Sequence, residues 1–107
     1  MKTKKSKTER LANVHPGRII RKEVLEARGM SQTELAQATG LPVSRINDLV
    51  KERRGITADS AIRLARALGT SVELWLNLQQ SYDLEEAMLA KHKEYDSLVQ
   101  LPMAMAH

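Results

Sequence analysis

The sequence predicts an all-α fold, five helices with a helical C-terminal extension. Apolar residues recur at three- and four-residue spacing along most of the chain, and no period-two segment of useful length appears. Gly29, Gly40 and Gly69 stand where successive apolar stripes end, as left-handed helix stops do. The apolar content is almost wholly Leu, Ile, Val, Ala and Met, with one Trp, two Tyr and no Phe. Such a palette favours helices over strands.

The first dozen residues, with Lys2, Lys4, Lys5, Lys7 and Arg10, hold too little apolar surface to offset the entropy of ordering. Residues 1–12 are expected to be a mobile basic arm, either a solvated tail or a phosphate-seeking extension. The first helix starts at His15-Pro16-Gly17, where Pro16 suits the first turn, and carries Ile19, Ile20, Val24 and Leu25. Ser31 and Glu34 form a capping box for the second helix, about Gln32 to Thr39, with Met30 and Leu35 as its hydrophobic staple. Pro42 opens the third helix, which reaches about Lys51. Its residues Ile46, Leu49 and Val50 share one face, while Ser44, Asp48 and Lys51 point away, flanked by Arg45 and Asn47. Thr57 caps a fourth helix with Ala61, Ile62, Leu64, Ala65 and Leu68 as its apolar side. Thr70 and Glu73 read as a further capping box, opening a fifth helix through Trp75 toward Tyr82. Residues 13–82 thus form the domain, and residues 83–107 an acidic extension with a frayed end from Leu101.

At 107 residues, 42% hydrophobic and 28% charged, the chain suits one domain with a modest core, which excludes a multidomain enzyme. The absence of cysteine excludes a disulfide framework, a thiolate metal site and a thiol nucleophile, and fits a reducing cytoplasm. No apolar run approaches a membrane span, and no signal-peptide core follows the basic start. A soluble cytoplasmic protein is expected. The net charge of +4 is unevenly spread. Residues 1–28 hold nine Lys/Arg against three Asp/Glu, residues 29–70 six against four, and residues 71–107 two against six. The two ends are suited to different partners.

Two short helices joined by a glycine turn, the first capped and the second showing a polar face, make a helix-turn-helix. Ala36 lies where only a small side chain lets the two helices approach, and Ile46 and Leu49 plug the core beneath. The competing reading is a plain helical bundle. A B-form major groove accepts one helix and offers polar edges to side chains near its start. Ser44, Arg45, Asn47 and Asp48 are in reach. Arg45 suits guanine and Asn47 adenine, while Pro42 and Val43 can touch a thymine methyl. Gln32, Lys51, Arg53 and Arg54 suit phosphates. Asp48 fits only by accepting from cytosine or orienting Arg45, since phosphate repels it.

These residues also carry a resemblance. From His15 to about Glu85 the chain resembles the HigA-type antitoxins of bacterial toxin–antitoxin modules, in the phage-repressor-like (XRE) helix-turn-helix group. The matching segments are His15-Pro16-Gly17, the run from Gly29 to Ala36, Ser44-Arg45-Ile46-Asn47, Arg54 to Ala61, Leu64-Ala65, Leu68 to Ser71, Trp75 to Gln79 and Tyr82-Asp83-Leu84. Val72 and Leu74 depart from the Pro and Phe usual there. The resemblance implies a dimeric autorepressor of palindromic operator DNA that also neutralises a cognate toxin, typically a small, basic, mRNA-cleaving protein of the HigB/RelE kind.

In the fifth helix, Val72, Trp75 and Leu76 can serve the core. Leu74, Leu78 and Tyr82 then form an i, i+4, i+8 stripe expected at a homodimer interface. The acidic residues Asp83, Glu85, Glu86, Glu94 and Asp96 either hold a basic toxin or are merely solvated. Catalysis has little support: His15, His92 and His107 form no HExxH motif, phosphate loop or Ser-His-Asp grouping. No catalytic, metal or cofactor-binding residue is expected. The serious alternative is a stand-alone helix-turn-helix repressor without a toxin partner.

Overall fold

The computed structural model describes residues 13–102, and among these it contains five helices and no strand. The expected basic arm and residues 103–107 lie outside the described residues. Helix α1 runs over Pro16–Ile19 and continues as a wider π-helical segment, Ile20–Glu26. Then follow α2 (Gln32–Thr39), α3 (Val43–Val50), α4 (Ala58–Leu68) and α5 (Val72–Asp96).

The local signals explain most boundaries. Ser31 accepts from the Glu34 amide at 3.0 Å while the Glu34 carboxylate accepts from the Ser31 amide at 2.8 Å, closing the capping box. Thr57 caps α4 in the same way, with Ser60 returning the bond to the Thr57 amide at 2.8 Å. Gly29, Gly40 and Gly69 all have φ between 63° and 76°, the left-handed conformation that ends a helix without a Cβ clash. At α5 the expected cap is displaced by one residue. Ser71, not Thr70, accepts from the first turn, at 3.0 Å from the Leu74 amide. Thr70 instead accepts from the indole N–H of Trp75 at 2.8 Å. A buried indole needs a partner for that donor, so the nearest hydroxyl serves it.

The core gathers one side of every helix. Ile20 and Val24 of α1 meet Leu35 of α2, Ile46 and Leu49 of α3, and Leu64 of α4, with Trp75 of α5 closing one side at 2% exposure. Met30 packs against this core as the staple predicts. Two expected core residues do not: Ile62 is 45% exposed and Leu76 37%. Helix phase explains both. In α4, Ala61, Leu64 and Ala65 define the buried side and leave Ile62 beyond its edge. In α5, Trp75 points inward, so its face recurs at Leu78 and Tyr82 (i+3 and i+7), not at Leu76. Leu78 is accordingly half-buried against the core, and the Tyr82 ring meets His15 edge-on with centroids 4.8 Å apart. Of the expected dimer stripe, Leu74 is exposed, while Leu78 and Tyr82 are each partly covered within the chain.

Helix α5 passes unbroken through Tyr82 and Asp83, so the acidic extension is its outer part. Its 25 residues would span about 37 Å. Beyond the domain it exposes Leu84, Met88 and Leu89, and its backbone departs from helical geometry at Lys91.

His15 joins the first helix to the last. Its Nδ1 accepts the Gly17 amide at 2.8 Å, capping α1, and the residue is buried. An imidazolium has no lone pair to accept with, and burial pushes the His15 pKa down, against the smaller opposing pull of Glu52 and Asp83. The unfolded chain then binds the proton more readily. His15 stabilises the fold fully above about pH 6.5, and that contribution is lost as pH falls below it. Thermal melts should show a midpoint that declines from about pH 7 to about pH 5. His15→Gln, which does not titrate there, should flatten that decline.

Candidate nucleic-acid interface

Helices α2 and α3 are joined by Gly40, Leu41 and Pro42. Thr39 donates its hydroxyl to the Leu35 carbonyl at 2.8 Å, and Arg63 of α4 donates to the Thr39 carbonyl at 3.0 Å. The turn is thus held from inside and from a neighbouring helix. Leu41 is buried, while Pro42 and Val43 are exposed at the start of α3. Ala36, 5% exposed, sits under the crossing as expected of a small side chain. Thr33 and Gln37 of α2 face Pro42 and Val43 across a shallow groove, two lining residues the sequence did not single out. Their signal was only i, i+4 spacing on the exposed side of a short helix.

The far end of α3 is held just as firmly. The Glu52 amide donates to the Leu49 carbonyl at 3.0 Å and the Arg53 amide to that of Asp48 at 2.8 Å. This is a Schellman closure with Glu52 in the left-handed region, at φ 61°. Arg21 of α1 donates to the Val50 carbonyl and pairs with Glu52 at 3.4 Å. No local pattern signals this brace, because it joins residues 29 positions apart.

Five of the predicted contact residues are linked into one chain of bonds. The Asn47 amide nitrogen donates to Gln32 Oε1 at 3.2 Å, and Arg53 donates to Asn47 Oδ1 at 3.1 Å. Arg53 also pairs with Asp48 at 3.3 Å, and Arg54 lies 3.9 Å from the same carboxylate. Asp48 therefore does not orient Arg45; it faces the loop arginines, which can reach back over the last turn of α3. Arg45 has no ion pair among the described residues. Ser44 and Lys51 are exposed. The site is thus an exposed helix start at Pro42, Val43 and Ser44 with Arg45 beside it, a bonded middle at Asn47 and Asp48, and a cationic loop at Lys51, Arg53 and Arg54. Among the described residues no cluster of three or more His, Asp or Glu is placed to hold a metal ion. No described helix is long and apolar enough to cross a membrane.

A helix-turn-helix family profile matches residues 22–75, which include α2, α3 and α4 entire. Antitoxin HigA-1 of Vibrio cholerae is 38% identical over 71 residues, covering 66% of this chain and 67% of that protein. The Pseudomonas aeruginosa antitoxin HigA, solved with the higBA promoter, superposes with a TM-score of 0.79 at 40% identity, over 85% of this chain and 99% of that one. The chain belongs to the HigA-type helix-turn-helix family. Virulence-associated protein I of Dichelobacter nodosus is 50% identical over 74 residues, 69% of this chain and 68% of that protein. The family profile spans the whole α2–turn–α3 unit described above.

Proposed function

We propose that this chain is an antitoxin and transcriptional autorepressor. It binds palindromic operator DNA as a homodimer, placing α3 in the major groove, and neutralises a cognate HigB/RelE-type mRNA-cleaving toxin by direct binding. The supporting observation is an exposed, polar α3 start braced at both ends, in a fold shared with a HigA solved on its promoter. Pro42, Val43, Ser44, Arg45, Asn47 and Asp48 lie at or near base edges. Gln32, Lys51 and Arg54 face the phosphate backbone, with Arg53 beside them. The protein works in the cytoplasm as a binder, without catalysis, metal or cofactor.

The homodimer places two recognition helices about 34 Å apart, one turn of DNA. Leu74 and the exposed rims of Leu78 and Tyr82 contribute to its interface. The outer part of α5, acidic at Asp83, Glu85 and Glu86 with Leu84 and Met88 exposed, suits a basic protein partner.

The test is binding to the promoter duplex upstream of the chain's own operon, titrated against salt. If about six phosphates are contacted per dimer, log affinity falls against log salt with a slope near −5. Arg45→Ala should cost roughly 1–3 kcal/mol and relax preference at one position of each half-site. Salt-independent binding, or an Arg45→Ala variant with unchanged preferences, would contradict the proposed placement of α3.

A further inference from the structure

The bonded middle of α3 assigns Arg53 a task other than gripping phosphate. Asn47 carries two N–H donors and two oxygen lone pairs. One donor is committed to Gln32 and one lone pair to Arg53, at 3.2 and 3.1 Å. What remains is one donor and one acceptor on an amide whose orientation is fixed from both sides. That pair complements the acceptor and donor an adenine shows in the major groove. The guanidinium of Arg53 keeps its place because Asp48 receives it, with Nε and the terminal nitrogen each 3.3 Å from Oδ1. Asp48 is the only acidic residue in α3. A carboxylate there weakens phosphate binding, so a structural reason for its position is informative.

We infer that Arg53, clamped by Asp48, is a positioning residue for Asn47, and that the pair determines which base Asn47 accepts. This rests on the DNA-binding reading above and deepens it. Arg54, farther from Asp48 at 3.9 Å, is the loop arginine left for phosphate. On non-matching DNA, where Asn47 finds no partner, the clamp also keeps Arg53 from adding a sequence-blind contact. Discrimination rises on both counts.

The experiment compares the native chain, Arg53→Gln and Asp48→Asn on the upstream duplex, on its single-base variants and on a scrambled duplex, across about 50 to 200 mM salt. Asn47→Ala first identifies the base pair that Asn47 reads. At that pair both variants should lose discrimination by roughly tenfold, keeping preferences elsewhere. Arg53→Gln should leave the salt slope unchanged, whereas Asp48→Asn, which releases Arg53, should bind scrambled DNA more tightly and steepen the slope by about 0.9 per half-site. Uniform weakening of all duplexes by Arg53→Gln, with a shallower slope and intact preferences, would make Arg53 a phosphate contact and overturn the inference. So would an Asp48→Asn protein with native discrimination at that pair. A native chain that fails to prefer the upstream duplex over the scrambled one would instead remove the DNA reading itself. Thermal melts of each variant separate these outcomes from unfolding, since the Arg53 side chain is 57% exposed and that of Asp48 34%.

Discussion

Replacing Gly17 by alanine should lower stability by about 3 kcal/mol or more, although alanine is the better helix former by roughly 1 kcal/mol. Gly17 lies within α1, and a Cβ built on it falls 1.8 Å from the Leu49 carbonyl oxygen and 2.9 Å from its carbon. Both atoms are backbone of α3, so no side-chain rotation relieves the overlap. The helices must separate, loosening Ile20, Ile46 and Leu49 together. For a domain of this size such a loss corresponds to a melting point lower by roughly 12–24 °C. Gly55→Ala is the internal control. Its Cβ comes nearest the Gln79 side chain, at 2.8–2.9 Å, which can shift at the expense of its bond to the Ile56 amide, so the cost should be smaller, about 1–2 kcal/mol. A Gly17→Ala protein as stable as the parent would show that α1 does not abut α3 so closely. In the folded fraction, the displacement of α3 should also weaken operator binding.

Trp75→Ala should be similarly severe, about 3–5 kcal/mol by removal of a large buried aromatic side chain. Trp75 is the largest fully buried residue and the only fully buried core residue supplied by α5. Its loss opens a cavity against α4 and frees the Thr70 hydroxyl from its 2.8 Å bond, although Thr70 is half-exposed and can turn to water. Typical domains hold only about 5–15 kcal/mol in total. A large share of the molecules should therefore be unfolded near 37 °C. Denaturant titration followed by far-ultraviolet circular dichroism checks this. A midpoint within about 1 kcal/mol of the parent would mean that α5 is held mainly by its polar links. Those links are real: Gln79 accepts the Ile56 amide at 2.6 Å, and Asn13 donates to the Tyr82 carbonyl at 2.9 Å.

Caps, stops and helical spacing were legible because each involves residues within about four positions of one another. The Ser31–Glu34 box and the Gly40 turn fall in this class, as does the buried side of α3. The Thr70 misassignment shows the limit of such signals. Thr70 and Ser71 are adjacent and chemically alike, and the choice between them depended on where the Trp75 indole would lie. The stripe of Leu74, Leu78 and Tyr82 is partly covered within the chain for a related reason. Spacing reveals that three residues neighbour one another on a helix, but the azimuth at which the core meets that helix is set by its heaviest apolar side chain.

The candidate site divides along the same line. Its residue types and order are local facts, and so the exposed start of α3 and the arginine loop could be placed from sequence alone. Asp48 was left to accept from cytosine or to orient Arg45, and within the chain it pairs with the loop arginines instead of Arg45. Its pairing with Arg53 and Arg54 requires the chain to turn back over α3 through a left-handed Glu52, a conformation that a non-glycine sequence does not announce. The brace from Arg21 to Val50 and the close approach of Gly17 to Leu49 likewise join α1 to α3 across about 30 intervening residues.

The sequence by itself determined the five helices, the glycine stops at residues 29, 40 and 69, the helix-turn-helix and the opposite charge of the chain's two ends, since these follow from short-range periodicity and composition. Only the tertiary structure decided which side of α5 is core, why residue 17 tolerates no side chain and how Asn47 is oriented. Those outcomes depend on contacts between helices, whose distances and directions no local pattern encodes.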